Sequence, residues 1–373
     1  MARSIKDKDS FKAFVASIEG KSGYQRPQAF GLGLATQSGD GDILEVFYPS
    51  PNFESNFGSA AVLAEILGHA GGTASYTPNL EQLREVLSCF APFDGESGHR
   101  NIDILKRLID TAAQGLPSNK KIVAAFIAPG TDPSDVCEAY LRLHLFSHRL
   151  IKPHGISVKG IFKVLPNVAW TDEGCIAISE VPQRQLERRL RGGILTVHSV
   201  DKFPRMTDYV IPSGVRLCDA IRIRLGAYIG EGTTFMHEGF CNFNAGTEGP
   251  NMIEGRISSG VFIGKGSDLG GGCSTMGTLS GGGQEIISVG TGCLLGANSG
   301  IGISLGDGCT VEAGLYVTAG SKVTLNGGAE VVKARDLSGI SDMLFRRNSE
   351  TGAIEAYSTR KMAELNAELH TKQ

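Results

Sequence analysis

The chain has 373 residues, enough for two or three domains, and a formal charge of −3 with 20% charged residues. That balance gives no global basic field for nucleic acid, and no apolar run reaches the roughly 18 residues that span a bilayer. The N-terminus MARSIKDKDSFKAF has no apolar signal-type core and the eight cysteines form no CxxC pair, so the expectation is a cytoplasmic protein with reduced, mostly buried thiols.

Residues 1–200 read as an α/β domain. Residues 10–19 predict a short helix, and 29–36 and 43–47 predict strands around the turn Ser38-Gly39-Asp40-Gly41. Apolar residues at helical spacing predict helices over 60–71, 80–87 and 102–113, the last ending near Gly115. Residues 121–128 predict a buried strand. Residues 132–150 predict a helix with Asp132 or Ser134 as its N-cap, and 160–168 and 175–178 predict further strands.

From Ile211 the chain repeats every six residues, as IPSGVR, LCDAIR, IRLGAY, IGEGTT, FMHEGF and CNFNAG. The first position of each unit (Ile211, Leu217, Ile223, Ile229, Phe235, Cys241) is expected to point inward, and the fifth is mostly small or branched. This period is the signature of a hexapeptide β-helix, in which each unit forms one flat face of a triangular coil and three units make a turn of about 18 residues. The repeat fades over 247–258, returns at Ile263, breaks again at 279–285 in LSGGGQE, and slips in phase at 301–304. Loops that leave a rigid solenoid are where such scaffolds tend to place their sites. The coil is expected over 201–335, followed by a C-terminal segment, 336–373, with a helix over 353–370.

Several groups in the coil carry chemistry. Glu238 and Glu254 are candidate carboxylates for taking a proton or attacking a carbonyl. His237 is the lone histidine of the coil, too few for a three-histidine zinc site. Arg216, Arg222, Arg224 and Arg256 suit carboxylate ligands. The run Gly281-Gly282-Gly283 lacks the Lys-Ser/Thr of a phosphate loop and reads as a flap or tight turn.

Two long motifs, MHEGFCNFNAGTEGPNMIEGRIS (236–258) and GGGCSTMGTLSGGG (270–283), resemble tetrahydrodipicolinate N-succinyltransferase in its longer actinobacterial and pseudomonad form. LLGANSGIGISLGDGCTVEAGLYVTAG (294–320), VKARDLSG (332–339) and LFRRNS (344–349) extend the likeness, as do stretches at 139–155 and 201–216. The resemblance implies succinyl transfer from succinyl-CoA to the amino group of ring-opened tetrahydrodipicolinate, in diaminopimelate and lysine biosynthesis. It also implies a left-handed coil and a homotrimer with active sites between subunits, with no nucleic-acid or membrane partner. It matches the catalytic glutamate to Glu254, acting through an acyl-anhydride or as a base, and a ligand contact to Arg256. For CoA it points to Gly271, Ser274, Ala297, Glu312, Ala313, Gly320, Lys333 and the segment Arg346-Arg347-Asn348-Ser349. Lys333, Arg346 and Arg347 have the charge to meet CoA phosphates. It implies no tightly bound cofactor. It matches Glu238 to a ligand of a Mg ion on the trimer axis, beside an aspartate where this chain has Ile221, whose side chain offers no oxygen to a hard cation. Two other readings of the same residues are a different acyltransferase, for example one using acetyl-CoA on the same precursor, and a non-catalytic trimeric scaffold. The intact Glu254-Gly255-Arg256 and FRRNS segments argue against the scaffold.

Overall fold

Ala29–Gln37 alternates small and apolar residues that are buried along almost its whole length, so it can lie inside a sheet. It pairs antiparallel with Ile43–Phe47 on one side and Lys120–Ile127 on the other; Ala74–Tyr76 lies beyond the latter, and Asn52–Phe53 pairs with its first residues. The computed structural model describes residues 5–96, 99–279 and 284–358, in two units: Met1–Leu145 with Ile156–Pro204, and Phe146–Gly155 with Arg205–Gln373.

In the first unit, Lys8–Glu19, Phe57–Leu67, Leu80–Cys89 and Arg100–Gln114 are helices. Their apolar residues, among them Phe11, Val62, Leu83, Val86, Leu105 and Ile109, form one core with Phe30, Leu32 and Phe126 of the sheet. Asp7 and Asn79 cap two of these helices through reciprocal side-chain and backbone bonds. A smaller antiparallel sheet has Val168–Thr171 between Gly174–Ala177 and Val197–Asp201.

Two local expectations change here. The helix predicted over 132–150 is Val136–Ser147, and its cap is Asp135, whose Oδ1 accepts from Glu138 N at 2.8 Å. Ser134 instead donates to the Glu138 carboxylate. Residues 160–168 do not form one strand: Gly160 takes φ +81° and Ile161–Val164 is a helical turn, so the extended segment starts only at Val168.

The second unit is a left-handed parallel β-helix. Its first face stacks Arg216–Leu217, Thr234–Phe235, Met252–Ile253, Asp268–Leu269, Leu294–Leu295 and Thr310–Val311. The second stacks Phe240–Cys241, Arg256–Ile257, Ser274–Thr275, Gly300–Gly302 and Tyr316–Thr318, and the third Ala227–Ile229, Ala245–Thr247, Phe262–Ile263 and Ser288–Val289. The first hexad residues fill the interior as columns. Phe235, Ile253, Leu269, Leu295 and Val311 run under the first face and are almost fully buried, each worth about 1.5–3 kcal/mol of transfer.

The regular stack begins later than the repeat. Ile211 is 76% exposed, and Ile221 lies in a 3-10 turn, Ala220–Arg222, with its side chain out. Each interruption has a defined cause. Inward residues on neighbouring faces are normally six apart, as in Phe235 and Cys241. Ile253 and Ile257 are only four apart, so the corner between first and second faces loses two residues there. Ile301 and Leu305 repeat the shortening between second and third faces. Thr275 and Val289 are fourteen apart, which lets the chain leave the coil near Thr278 and return near Ile286, where those two residues bridge antiparallel. The run Gly281–Gly283 lies outside the described residues.

After the last rung, Met343–Arg347 continues the first face beside Thr310–Val311 and pairs antiparallel with Ile354–Ser358, which runs beside Lys322–Leu325. The helix predicted over 353–370 is therefore not formed at 354–358; alternating Ile354, Ala356 and Ser358 suit the strand, and 359–370 lie outside the described residues.

The segment 146–155 lies along the third face. Ser147 Oγ donates to Ala227 O, Arg149 Nε donates to Ile229 O, and Asn244 Oδ1 accepts from His154 N. Lys152 pairs with Glu248 at 2.8 Å and stands over the Phe262 ring.

Candidate active site

The shortened corner, Ile253-Glu254-Gly255-Arg256-Ile257, holds the candidate carboxylate. With two residues removed, Glu254 sits at the bend itself, its backbone N–H bonded to Leu269 O of the next turn. Gly255 is required: a Cβ there would strike Cys273 Sγ and come 2.7 Å from Cys273 O. Cys273 is thus packed directly against the corner, yet it is a poor nucleophile. Burial pushes its thiol up to about 12, so almost no thiolate forms at neutral pH.

The same edge recurs once per turn. Glu254, Gly271, Ala297 and Ala313 occupy it in successive turns, linked by bonds from Gly272 N to Glu254 O, Asn298 N to Gly271 O and Gly314 N to Ala297 O, and Glu238 lies on the turn before Glu254. Below Glu254 the edge is therefore a strip of small residues. A Cβ added at Gly271 would have as its nearest neighbours Glu254 Oε2 at 3.8 Å and Glu238 Oε2 at 3.9 Å. The two carboxylates overlook one opening.

On the adjoining second face, Arg256 stands beside Ser274 and donates to its Oγ from Nε at 3.1 Å and Nη2 at 2.8 Å. Among the described residues Arg256 makes no ion pair with Glu254, so their nearness in sequence does not make them partners. Further along that row Tyr316 lies over Gly300, whose missing side chain makes room for the ring. The sequence did not single out Tyr316. The signal was present as a glycine and an aromatic residue sixteen apart at outward positions, but only the register aligns them.

At the far end of the edge, Glu312 Oε2 accepts from Arg347 N at 2.6 Å. Arg346 is held by Glu355 at 3.0 Å and by Tyr357, over whose ring it also lies. Asn348 donates to Glu355, and this bond, with those from Tyr357 and Arg346, holds the Glu355 carboxyl below its ordinary value. Arg347, Ser349, Lys333 and Gly320 are exposed. Arg222 donates to Glu238 O, and Arg224 to Asn242 Oδ1.

Models of protein families match most of the chain. Tetrahydrodipicolinate N-succinyltransferase N-terminal matches residues 9–163, its middle region 165–205, and Hexapeptide repeat of succinyl-transferase 286–319. A 2,3,4,5-tetrahydropyridine-2,6-dicarboxylate N-succinyltransferase of Pseudomonas aeruginosa is 55% identical over 346 residues, covering 92% of this chain and 97% of that protein. The chain belongs to the tetrahydrodipicolinate N-succinyltransferase family. A relative of the same name from Vibrio cholerae is 50% identical over 92% of this chain and 98% of its own length. A solved Campylobacter jejuni structure, described as a 2,3,4,5-tetrahydropyridine-2-carboxylate N-succinyltransferase, superposes with a TM-score of 0.89. It is 36% identical and covers 95% of this chain and 98% of that one.

Of the two positions matched to the Mg ion, only Glu238 offers oxygen donors. Ile221 presents a hydrocarbon side chain that is 57% exposed, and Glu238 turns an oxygen toward the opening at Gly271. Among the described residues no three His, Cys, Asp or Glu side chains gather as metal ligands. No helix among them is long and apolar enough to cross a membrane.

Proposed function

We propose that the edge carrying Glu254 is the site of acyl transfer. The activity is that of the family: a succinyl group moves from succinyl-CoA to the amino group of ring-opened tetrahydrodipicolinate, in diaminopimelate and lysine biosynthesis. The observation that carries the site is the alignment of Glu254 with Gly271, Ala297 and Ala313 along one edge, beside the Arg256–Ser274 pair.

In this reading the pantetheine arm lies along Gly271, Ala297 and Ala313, where the lack of side chains lets it approach the backbone. Its thioester is brought to Glu254. The acceptor nitrogen forms its bond to the acyl carbon, the C–S bond breaks, and CoA leaves as a thiolate. Glu254 either attacks first, giving an acyl-anhydride that the amine then opens, or takes the amine proton. Arg256, oriented by Ser274, receives a substrate carboxylate. Glu312 fixes the start of the Arg347–Ser349 segment, which with Lys333 and the neighbouring Gly320 serves the CoA phosphates. Arg346 and Asn348 shape that segment through Glu355.

The working form is a homotrimer in the cytoplasm. The third face is already covered by 146–155, so the first and second faces, which flank the Glu254 edge, are left for neighbouring subunits. A closed ring of three would bring such edges into shared clefts.

The test is thiol release from succinyl-CoA, with acetyl-CoA as competitor, by the wild type and Glu254→Gln. We expect the variant to lose at least about a hundredfold in turnover while keeping its mass by light scattering. Near-normal turnover would refute the assignment, and a fully active monomer would refute the shared clefts.

A further inference from the structure

Glu238 and Glu254 reach the opening at Gly271 from successive turns, and nothing charged lies between them: the nearest neighbours of a Cβ at 271 are their two Oε2 atoms. Neither carboxylate has an ion-pair partner among the described residues. Arg222, the cation closest to Glu238 in the hydrogen-bond pattern, spends its donors on the Glu238 backbone carbonyl at 3.2 Å and on Asp219 at 3.6 Å. Two uncompensated negative charges facing one small opening favour a cation there.

Two kinds of cation are chemically available. A hard metal ion needs several oxygen ligands, and the position that should add one is Ile221, a hydrocarbon on an exposed turn. The second is an organic ammonium group, which is satisfied by two carboxylates and uses its three N–H donors. The acceptor in succinyl transfer brings such a group to this edge.

We infer that Glu238 is the carboxylate that receives the acceptor's ammonium group beside Glu254, and is not a ligand of an axial cation. This rests on the assignment of Glu254 to the transfer site. Glu238 binds and orients the nitrogen, while the transfer chemistry stays with Glu254. Gly271 is the gap through which the nitrogen reaches both oxygens, and it explains why the strip of small residues begins there.

The experiment compares Glu238→Gln, Glu238→Asp and Glu254→Gln with the wild type in full steady-state kinetics. Mass and thermal stability are measured with added Mg2+ and with EDTA. Glu238→Gln should raise KM for the amine acceptor by about ten- to a hundredfold, the size of a lost charged hydrogen bond, with KM for succinyl-CoA and the oligomer mass unchanged. Glu238→Asp should recover part of the loss, and Mg2+ should shift the Tm of neither wild type nor variant. The inference is overturned by an acceptor KM that stays at the wild-type value in Glu238→Gln. It is equally overturned by a wild-type Tm shift with Mg2+ that the variant loses, or by dissociation of the variant. Glu254→Gln separates the two ideas: if it is inactive while Glu238→Gln is normal, only the role of Glu238 falls, and if it stays active, the site assignment itself falls.

Discussion

Arg256 and Ser274 stand on adjacent turns of one face, and the guanidinium gives both Nε and Nη2 to the serine hydroxyl oxygen. A flexible arginine is thereby set in one orientation beside Glu254 before substrate arrives. Ser274→Ala should raise KM for the carboxylate-bearing ligand by about three- to tenfold with little change in Tm, because the guanidinium loses the oxygen that orients it but keeps its charge and its access to solvent. Arg256→Lys should cost more than Ser274→Ala, since an ammonium cannot reproduce the planar fork. A wild-type KM in Ser274→Ala would show that Ser274 does nothing for Arg256.

Gly255→Ala should destabilise the coil by about 1–3 kcal/mol, as overpacking does, and lower turnover by displacing Glu254. Removing the sulfur below it in the double variant Gly255→Ala/Cys273→Ala should restore part of the stability, though the Cys273 carbonyl still crowds the new methyl. Cys273→Ala alone should keep near-normal turnover, because its buried thiol carries no nucleophile. Thermal melts and thiol-release rates on the three variants check this.

The Lys152–Glu248 bond holds the Glu248 carboxyl below its ordinary value and the Lys152 ammonium above its own. A depressed carboxyl stabilises above the unfolded value of about 4.3, and that contribution fades as pH falls through the lower folded value. A raised ammonium stabilises below the unfolded value of about 10.4, and that contribution fades as pH rises through the higher folded value. Lys152→Met should therefore be less stable than wild type between those limits and match it in strong acid. Both side chains are well exposed, so the gap should be at most about 1 kcal/mol and shrink in high salt. Denaturant melts at three pH values test the window; a gap that persists in acid would place the lysine's contribution in its packing over Phe262.

The coil was legible because its interior repeats a residue type at a fixed interval: Phe235, Ile253, Leu269 and Leu295 are apolar whatever the loops do. The interruptions were legible as places but not as causes. Ile253 and Ile257 both keep the inward type, so the loss of two residues between them shows only when the faces are paired. Most of the site was carried by the resemblance, and composition alone offered Glu238 and Glu254 on equal terms. Their meeting over Gly271 depends on stacking turns, and so does the contact of Tyr316 with Gly300. The misread segments were short. Gly160 broke an apolar run into a turn, and Ile354–Ser358 borrowed its helical look from the residues after it.

The segment 146–155 makes the coil a two-piece object in the chain. A fragment begun at residue 205 would carry every rung from Arg216 onward, yet it would uncover the Phe262 ring and leave the carbonyls of Ala227 and Ile229 without the donors that meet them. Dissection of this enzyme therefore calls for splicing: an isolated coil keeps its own skin only if those ten residues are sewn back onto it, and a library that samples contiguous fragments will miss the smallest soluble piece.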